Sequence, residues 1–132
     1  MTRSVPIVLV VEDHDDTTDA IEVVLEGWTY QVVTARHGAE ALDLLAGGLR
    51  PDAIVLDLMM PEVNGWDFRR VQRANPQLEC IPVVVVTGMS QHLDATAAEL
   101  GLPADHCLVK PVDFDKLFAV LRRATGRGER TR

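Results

Sequence analysis

The 132-residue sequence predicts one α/β domain, a doubly wound parallel sheet of five strands alternating with five helices. Two observations carry that reading. Short, continuous apolar runs bounded by turn residues recur along the chain, as in Ile7-Val8-Leu9-Val10-Val11 and Pro82-Val83-Val84-Val85-Val86, and such runs suit strands buried on both faces. Between them lie segments whose apolar residues keep helical spacing. A third observation concerns function: four strand candidates end in polar or charged residues, at Glu12-Asp13, Asp57, Thr87 and Lys110. Parallel sheets place their ligand sites at that end of the strands.

The elements follow in order. The first strand is Ile7 to Val11, ending in Glu12 and Asp13. Ile21, Val24, Leu25 and Trp28 then mark one face of a helix whose early acids, Asp15 and Asp16, suit its N-terminus. Tyr30 to Ala35 is β-branched enough for a second strand. Leu42 and Leu45 mark a short helix that stops at Gly47-Gly48. Ile54-Val55-Leu56 is the third strand, closed by Asp57, and Trp66 to Ala74 a third helix ahead of Asn75-Pro76. Pro82 to Thr87 is the fourth strand. Leu93, Ala97 and Leu100 space out an alanine-rich helix, Cys107-Leu108-Val109 is a short fifth strand, and Phe114, Leu117, Phe118 and Leu121 mark the last helix. One domain over 1–125 is expected, with 126–132 a mobile basic tail or the start of a linker.

Composition narrows the classes of function. The net charge is −7, with 19 acids against 8 Lys or Arg up to residue 121. An acidic body does not favour direct nucleic-acid binding, which needs Lys and Arg to neutralise phosphates. Cys80 and Cys107 form no metal-ligand spacing, and no leader-like succession or spanning apolar run occurs. A reduced, cytoplasmic protein with no membrane partner is expected.

Read alone, Glu12-Asp13 with Asp15-Asp16 suits a solvated cluster at a helix start, and Asp57 suits a cap of the next turn. Together they are different. Three carboxylates meeting at one strand-end pocket would raise each other's pKa unless a cation sits among them. Mg²⁺ is the natural one, since it prefers oxygen, takes only one or two direct carboxylates and also binds phosphate oxygens. Lys110 and the Thr87 hydroxyl would add donors for a phosphoryl group. An ionised Asp57 could take that group covalently.

The segments V-V-E-D at 10–13, D-L-M-M-P-E-V-N-G at 57–65, V-V-V-T-G at 84–88 and V-K-P at 109–111, in this order and spacing, resemble the receiver domain of two-component response regulators. The resemblance spans residues 6 to 125. It implies a flavodoxin-like sheet of strand order 2-1-3-4-5 and a phosphoacceptor at Asp57, loaded by a sensor histidine kinase or a phosphotransfer protein. It implies a Mg²⁺ site from Glu12, Asp13, Asp57 and the main-chain carbonyl of Met59. Thr87 and Lys110 would contact the phosphoryl oxygens, the bond to Pro111 would be cis, and the helix 4, strand 5, helix 5 face would be read by an output protein or domain. Such a domain catalyses only its own phosphorylation and dephosphorylation.

Two positions depart from that pattern. The usual aromatic switch residue is Cys107, and the usual Phe after Lys-Pro is Val112, so an aromatic rotamer switch cannot operate at Cys107. Met59 and Met89, two residues past Asp57 and Thr87, are either gap-fillers or flank the phosphoryl group and deny an attacking water a hydrogen bond. The rival reading is a receiver-like interaction module that is never phosphorylated. A phosphatase of the haloacid dehalogenase kind would need a second Asp where Met59 stands, and a nucleotide oxidoreductase would need G-x-G-x-x-G after the first strand.

Overall fold

In the computed structural model, which describes residues 5–60, 63–89 and 91–126, the chain alternates strand and helix throughout. The strands are β1 (Ile7–Val11), β2 (Gln31–Ala35), β3 (Ala53–Leu56), β4 (Val83–Thr87) and β5 (Cys107–Val109). The helices are α1 (Asp15–Gly27), α2 (Gly38–Ala46), α3 (Gly65–Ala74), α4 (Leu93–Leu100) and α5 (Phe114–Thr125). All pairings are parallel and the order is β2-β1-β3-β4-β5. The expected fold and strand order are therefore found. Sequence reading did not anticipate the 3₁₀ turn at Ala104–His106.

Alternation along each strand sorts the core into two layers, because successive side chains leave opposite faces of a sheet. Leu9, Val11, Ile54, Leu56, Val83, Val85 and Cys107 pack with Ala41, Leu45, Phe68, Ala97 and Leu100, buried apolar residues of α2, α3 and α4. Val8, Val10, Val55, Val84, Val86 and Leu108 pack with Ile21, Leu25, Leu117, Val120 and Leu121 of α1 and α5. The chain winds outward from β1 first to one side and then to the other, so same-handed crossovers put α1 and α5 opposite the remaining helices.

Caps and glycines place the helix starts at the rim where the strands end. Asn64 Oδ1 accepts from Asp67 N at 2.9 Å and Asp113 Oδ1 from Asp115 N at 3.0 Å, each satisfying a free amide of a first turn. Gly65 opens α3 against the β3 end. A Cβ there would lie 2.7 Å from Leu58 Cα and 2.8 Å from the Asp57 carbonyl oxygen, so only glycine lets the helix approach this backbone. No helix among the described residues is long and apolar enough to cross a membrane. Of the tail expected over 126–132, Gly126 caps α5 with φ 67°, and 127–132 lie outside the described residues.

Candidate functional site

Three residues of the strand-end rim are pinned by main-chain bonds that continue the sheet one step past its strands. Glu12 N donates to Ala35 O at 3.0 Å, Asp57 N to Val11 O at 3.0 Å, and Lys110 N to Thr87 O at 2.8 Å. Each side chain thus starts from a rigid backbone position. Glu12, Asp57 and Thr87 are buried, Asp13 and Lys110 half-buried.

The carboxylates converge. Glu12, Asp13, Asp57 and His14 each offer one ligand atom, all within 4.8 Å of one another. Lys110 Nζ stands 2.6 Å from Glu12 Oε1 and 3.6 Å from Asp57 Oδ2. Among the described residues Asp13 Oδ1 is buried and accepts no hydrogen bond, and the His14 ring, an ion-pair partner only when protonated, lies with Nδ1 3.2 Å from it. A buried carboxylate oxygen without a donor is costly unless something positive completes it. Hard oxygen donors at this spacing could hold a divalent cation such as Mg²⁺ among Glu12, Asp13 and Asp57.

The electrostatics differ from the expectation that all three acids would push each other upward. Burial, and then the Glu12 charge, raise Asp57 to about 6. Glu12 moves the other way. Its burial penalty is the largest single effect, but hydrogen bonds from Lys110 and His14 outweigh it and hold Glu12 below the usual carboxylate range. The reason is the placement of Lys110, which sits closer to Glu12 than to Asp57.

Met59 and Met89 play matching parts that their side chains did not announce. Met59 N donates to Asp57 Oδ1 at 3.2 Å, and Met89 N donates to Thr87 Oγ1 at 3.2 Å. Each loop bends back so that its amide fixes the polar side chain two residues upstream, the pattern of Asx and Ser/Thr turns. The Met59 side chain is 58% exposed and that of Met89 half-buried. Cys107 is buried in the layer of α2, α3 and α4, where burial pushes its thiol pKa up. The Lys110-Pro111 bond is cis, as expected.

His14 is the residue that sequence reading passed over. Its Nδ1 lies 3.1 Å from Glu12 Oε2 and its amide donates to the same oxygen at 3.2 Å. The hydrogen bond with Glu12, then the Asp13 charge, raise its pKa. The signal was its position directly after the acid pair.

The model of the response regulator receiver domain matches residues 8–122. The transcriptional regulatory protein AfsQ1 of Streptomyces coelicolor is 37% identical over 125 residues, covering 95% of this chain and 53% of that protein. Response regulator SaeR of Staphylococcus aureus is 39% identical over 114 residues, 86% of this chain and 47% of that protein. The chain thus spans about half the length of these relatives. Among solved structures, the signal receiver domain of a signal transduction histidine kinase from Syntrophus aciditrophicus superposes with a TM-score of 0.82 at 31% identity, covering 92% of this chain and 90% of that one.

Proposed function

The chain belongs to the response regulator receiver domain family of two-component signalling, and from that premise we propose that Asp57 accepts a phosphoryl group with the help of Mg²⁺ held by Glu12, Asp13 and Asp57. The observation that carries this reading is one buried carboxylate, Asp57, amid two further acids and a lysine, on a backbone fixed by the sheet.

The chemistry follows from those side chains. With a value of about 6, Asp57 is mostly ionised at neutral pH and can act as nucleophile. A carboxylate oxygen attacks phosphorus of a phosphohistidine, and the P–N bond breaks with its electron pair going to the imidazole nitrogen, which takes a proton from solvent. Lys110 has three N–H donors, and its Nζ, now between Glu12 and Asp57, has one to give to a phosphoryl oxygen. Thr87 Oγ1 accepts from the Met89 amide, which leaves the hydroxyl proton free to donate to another. Mg²⁺, when bound, supplies positive charge for the transferring group, and the Met59 carbonyl would complete its ligands. Dephosphorylation is a separate hydrolysis: water attacks phosphorus, the bond to Asp57 breaks with its electron pair returning to the carboxylate, and inorganic phosphate leaves with the proton of the water going to solvent. A sensor histidine kinase or phosphotransfer protein would be the donor, and the face of α4, β5 and α5 would carry the change to an output partner.

Acetyl phosphate tests this without a kinase. Intact-mass analysis should show one added phosphoryl group in the presence of Mg²⁺, none after EDTA and none in Asp57→Asn. Label that survives Asp57→Asn sinks the assignment. A second reading, a receiver-like module that binds its partner without phosphorylation, draws on Cys107 and Val112, which stand where the family pattern has aromatic residues; Cys107 is buried and small, so no aromatic ring can turn at that position. A wild-type protein that neither binds Mg²⁺ nor takes label would establish that reading instead.

A further inference from the structure

A second cluster of charge lies away from the strand-end rim, between α3 and α4. A cavity of about 470 Å³ there is lined by Trp66, Arg69, Arg70, Arg73, Glu99 and Leu100. Three guanidinium groups on one cavity are unexpected in a chain of net charge −7. Arg70 is accounted for by Asp67 one turn earlier.

Arg69 and Arg73 have no such partner: among the described residues, neither pairs with a carboxylate. Arg69 is 7% exposed. Its Nε donates to Leu100 O at 2.8 Å, Nη1 to Gln72 Oε1 at 2.8 Å and Nη2 to Gly101 O at 3.4 Å. These bonds tie α3 to the carbonyl end of α4, where the helix dipole favours a cation. That role explains one arginine. Arg73 brings a second guanidinium to the same place, so near Gly101 that a Cβ there would lie 2.7 Å from its Nη1. Gly101, at φ 70°, supplies both the helix end and the room for it. Burial, and then the Arg73 charge, lower the pKa of Arg69, as two like charges facing one cavity should.

We propose that this cleft binds a nucleoside phosphate, its phosphate taken by Arg73 with the spare N–H groups of Arg69 and its base lying against Trp66. Guanidinium forks match phosphate oxygens bidentately, and an indole offers a flat face for a heterocycle. The cavity falls within the range of small-molecule sites, about 300–1,000 Å³. A bare oxyanion would leave most of it to water. The site spans α3 and the end of α4, separate from Asp57, so the proposal goes beyond the phosphoacceptor reading.

Isothermal titration calorimetry of the whole chain in EDTA, which keeps metal-bound nucleotide off the acidic rim, tests it with AMP, ATP and inorganic phosphate. A nucleotide should bind, more weakly as salt is raised, with inorganic phosphate at least about tenfold weaker. Arg73→Glu should lose at least about tenfold in affinity with an unchanged circular dichroism spectrum, Arg73→Lys should keep part, and Asp57→Asn all of it. Indole N–H shifts of Trp66 in ¹H–¹⁵N spectra cover binding of small heat. Silence in both methods up to about 1 mM nucleotide overturns the site. Unchanged affinity in Arg73→Glu overturns the location, and phosphate binding as tightly as a nucleotide overturns the role given to Trp66.

Discussion

The acidic rim and the arginine cleft both bury charge, and they handle it in opposite ways. At the rim, Glu12, Asp57 and Lys110 each hang from an extra rung of the sheet, and carboxylates meet a lysine of the other sign. In the cleft, the described residues meet Arg69 with carbonyl and amide dipoles only, from Leu100, Gly101 and Gln72. Dipoles can satisfy the geometry of a guanidinium while leaving its net charge in place. Buried charge in the cleft therefore serves cohesion between helices, whereas at the rim it leaves an oxygen, Asp13 Oδ1, without a donor. Stability should depend more on the first and chemistry more on the second.

The largest test of that contrast is Arg69→Ala, which removes the donors to Leu100, Gly101 and Gln72 in one step. Loss of several buried hydrogen bonds to a charged group should destabilise the fold by about 3 kcal/mol in urea unfolding. A loss below about 1 kcal/mol would show that α4 does not rely on the clamp.

Asp57→Asn should act in the other direction. The folded value of Asp57, about 6, lies above its ordinary 3.8, so folding favours the protonated form. Its stabilising contribution is present below pH 3.8 and is lost as pH rises through about 6. Above that, the ionised carboxylate is a burden on the metal-free protein. Asp57→Asn should thus be more stable than wild type at pH 7.5 by on the order of 2 kcal/mol, with the gap narrowing toward pH 5. Thermal unfolding in EDTA at the two pH values reads this directly. A gap that does not narrow removes Asp57 ionisation as its cause.

The smallest effect concerns phosphoryl lifetime. If the Met59 side chain flanks the phosphoryl group, Met59→Asn should speed decay of labelled protein about three- to tenfold, by giving water a hydrogen-bonding partner. An unchanged decay rate leaves only the Met59 amide, which Asp57 already uses.

Much of the fold was legible because β1, β3 and β4 are buried on both faces and so read as unbroken Val, Ile and Leu. The rim was legible for a related reason: a charge directly after such a run stands out, as Glu12, Asp57 and Lys110 do. The pairing of Lys110 with Glu12 was not, because choosing between two acids takes distances. Nor was the cleft. In Trp66 to Ala74, Arg69 and Gln72 look like solvent-facing residues, yet Gln72 is fully buried, donating to Leu78 O at 2.9 Å and Ile81 O at 3.0 Å. Carbonyls of the loop that folds back directly after α3 decide that burial, and helical periodicity does not record them. His14 did carry a local signal, its place directly after Glu12-Asp13, but only the bend after β1 shows that its ring turns back to Glu12.

The extra rungs at Glu12, Asp57 and Lys110 divide the rim by timescale. Moving any of these three backbones means opening the sheet itself, an event on the scale of local unfolding. The Lys110 ammonium, the His14 ring and the Thr87 hydroxyl need only turn about side-chain bonds, which takes picoseconds to nanoseconds where they are not packed. The rim can therefore exchange one set of charge partners for another while its frame stays still, and whatever slower change follows must begin in the loops that leave the frame.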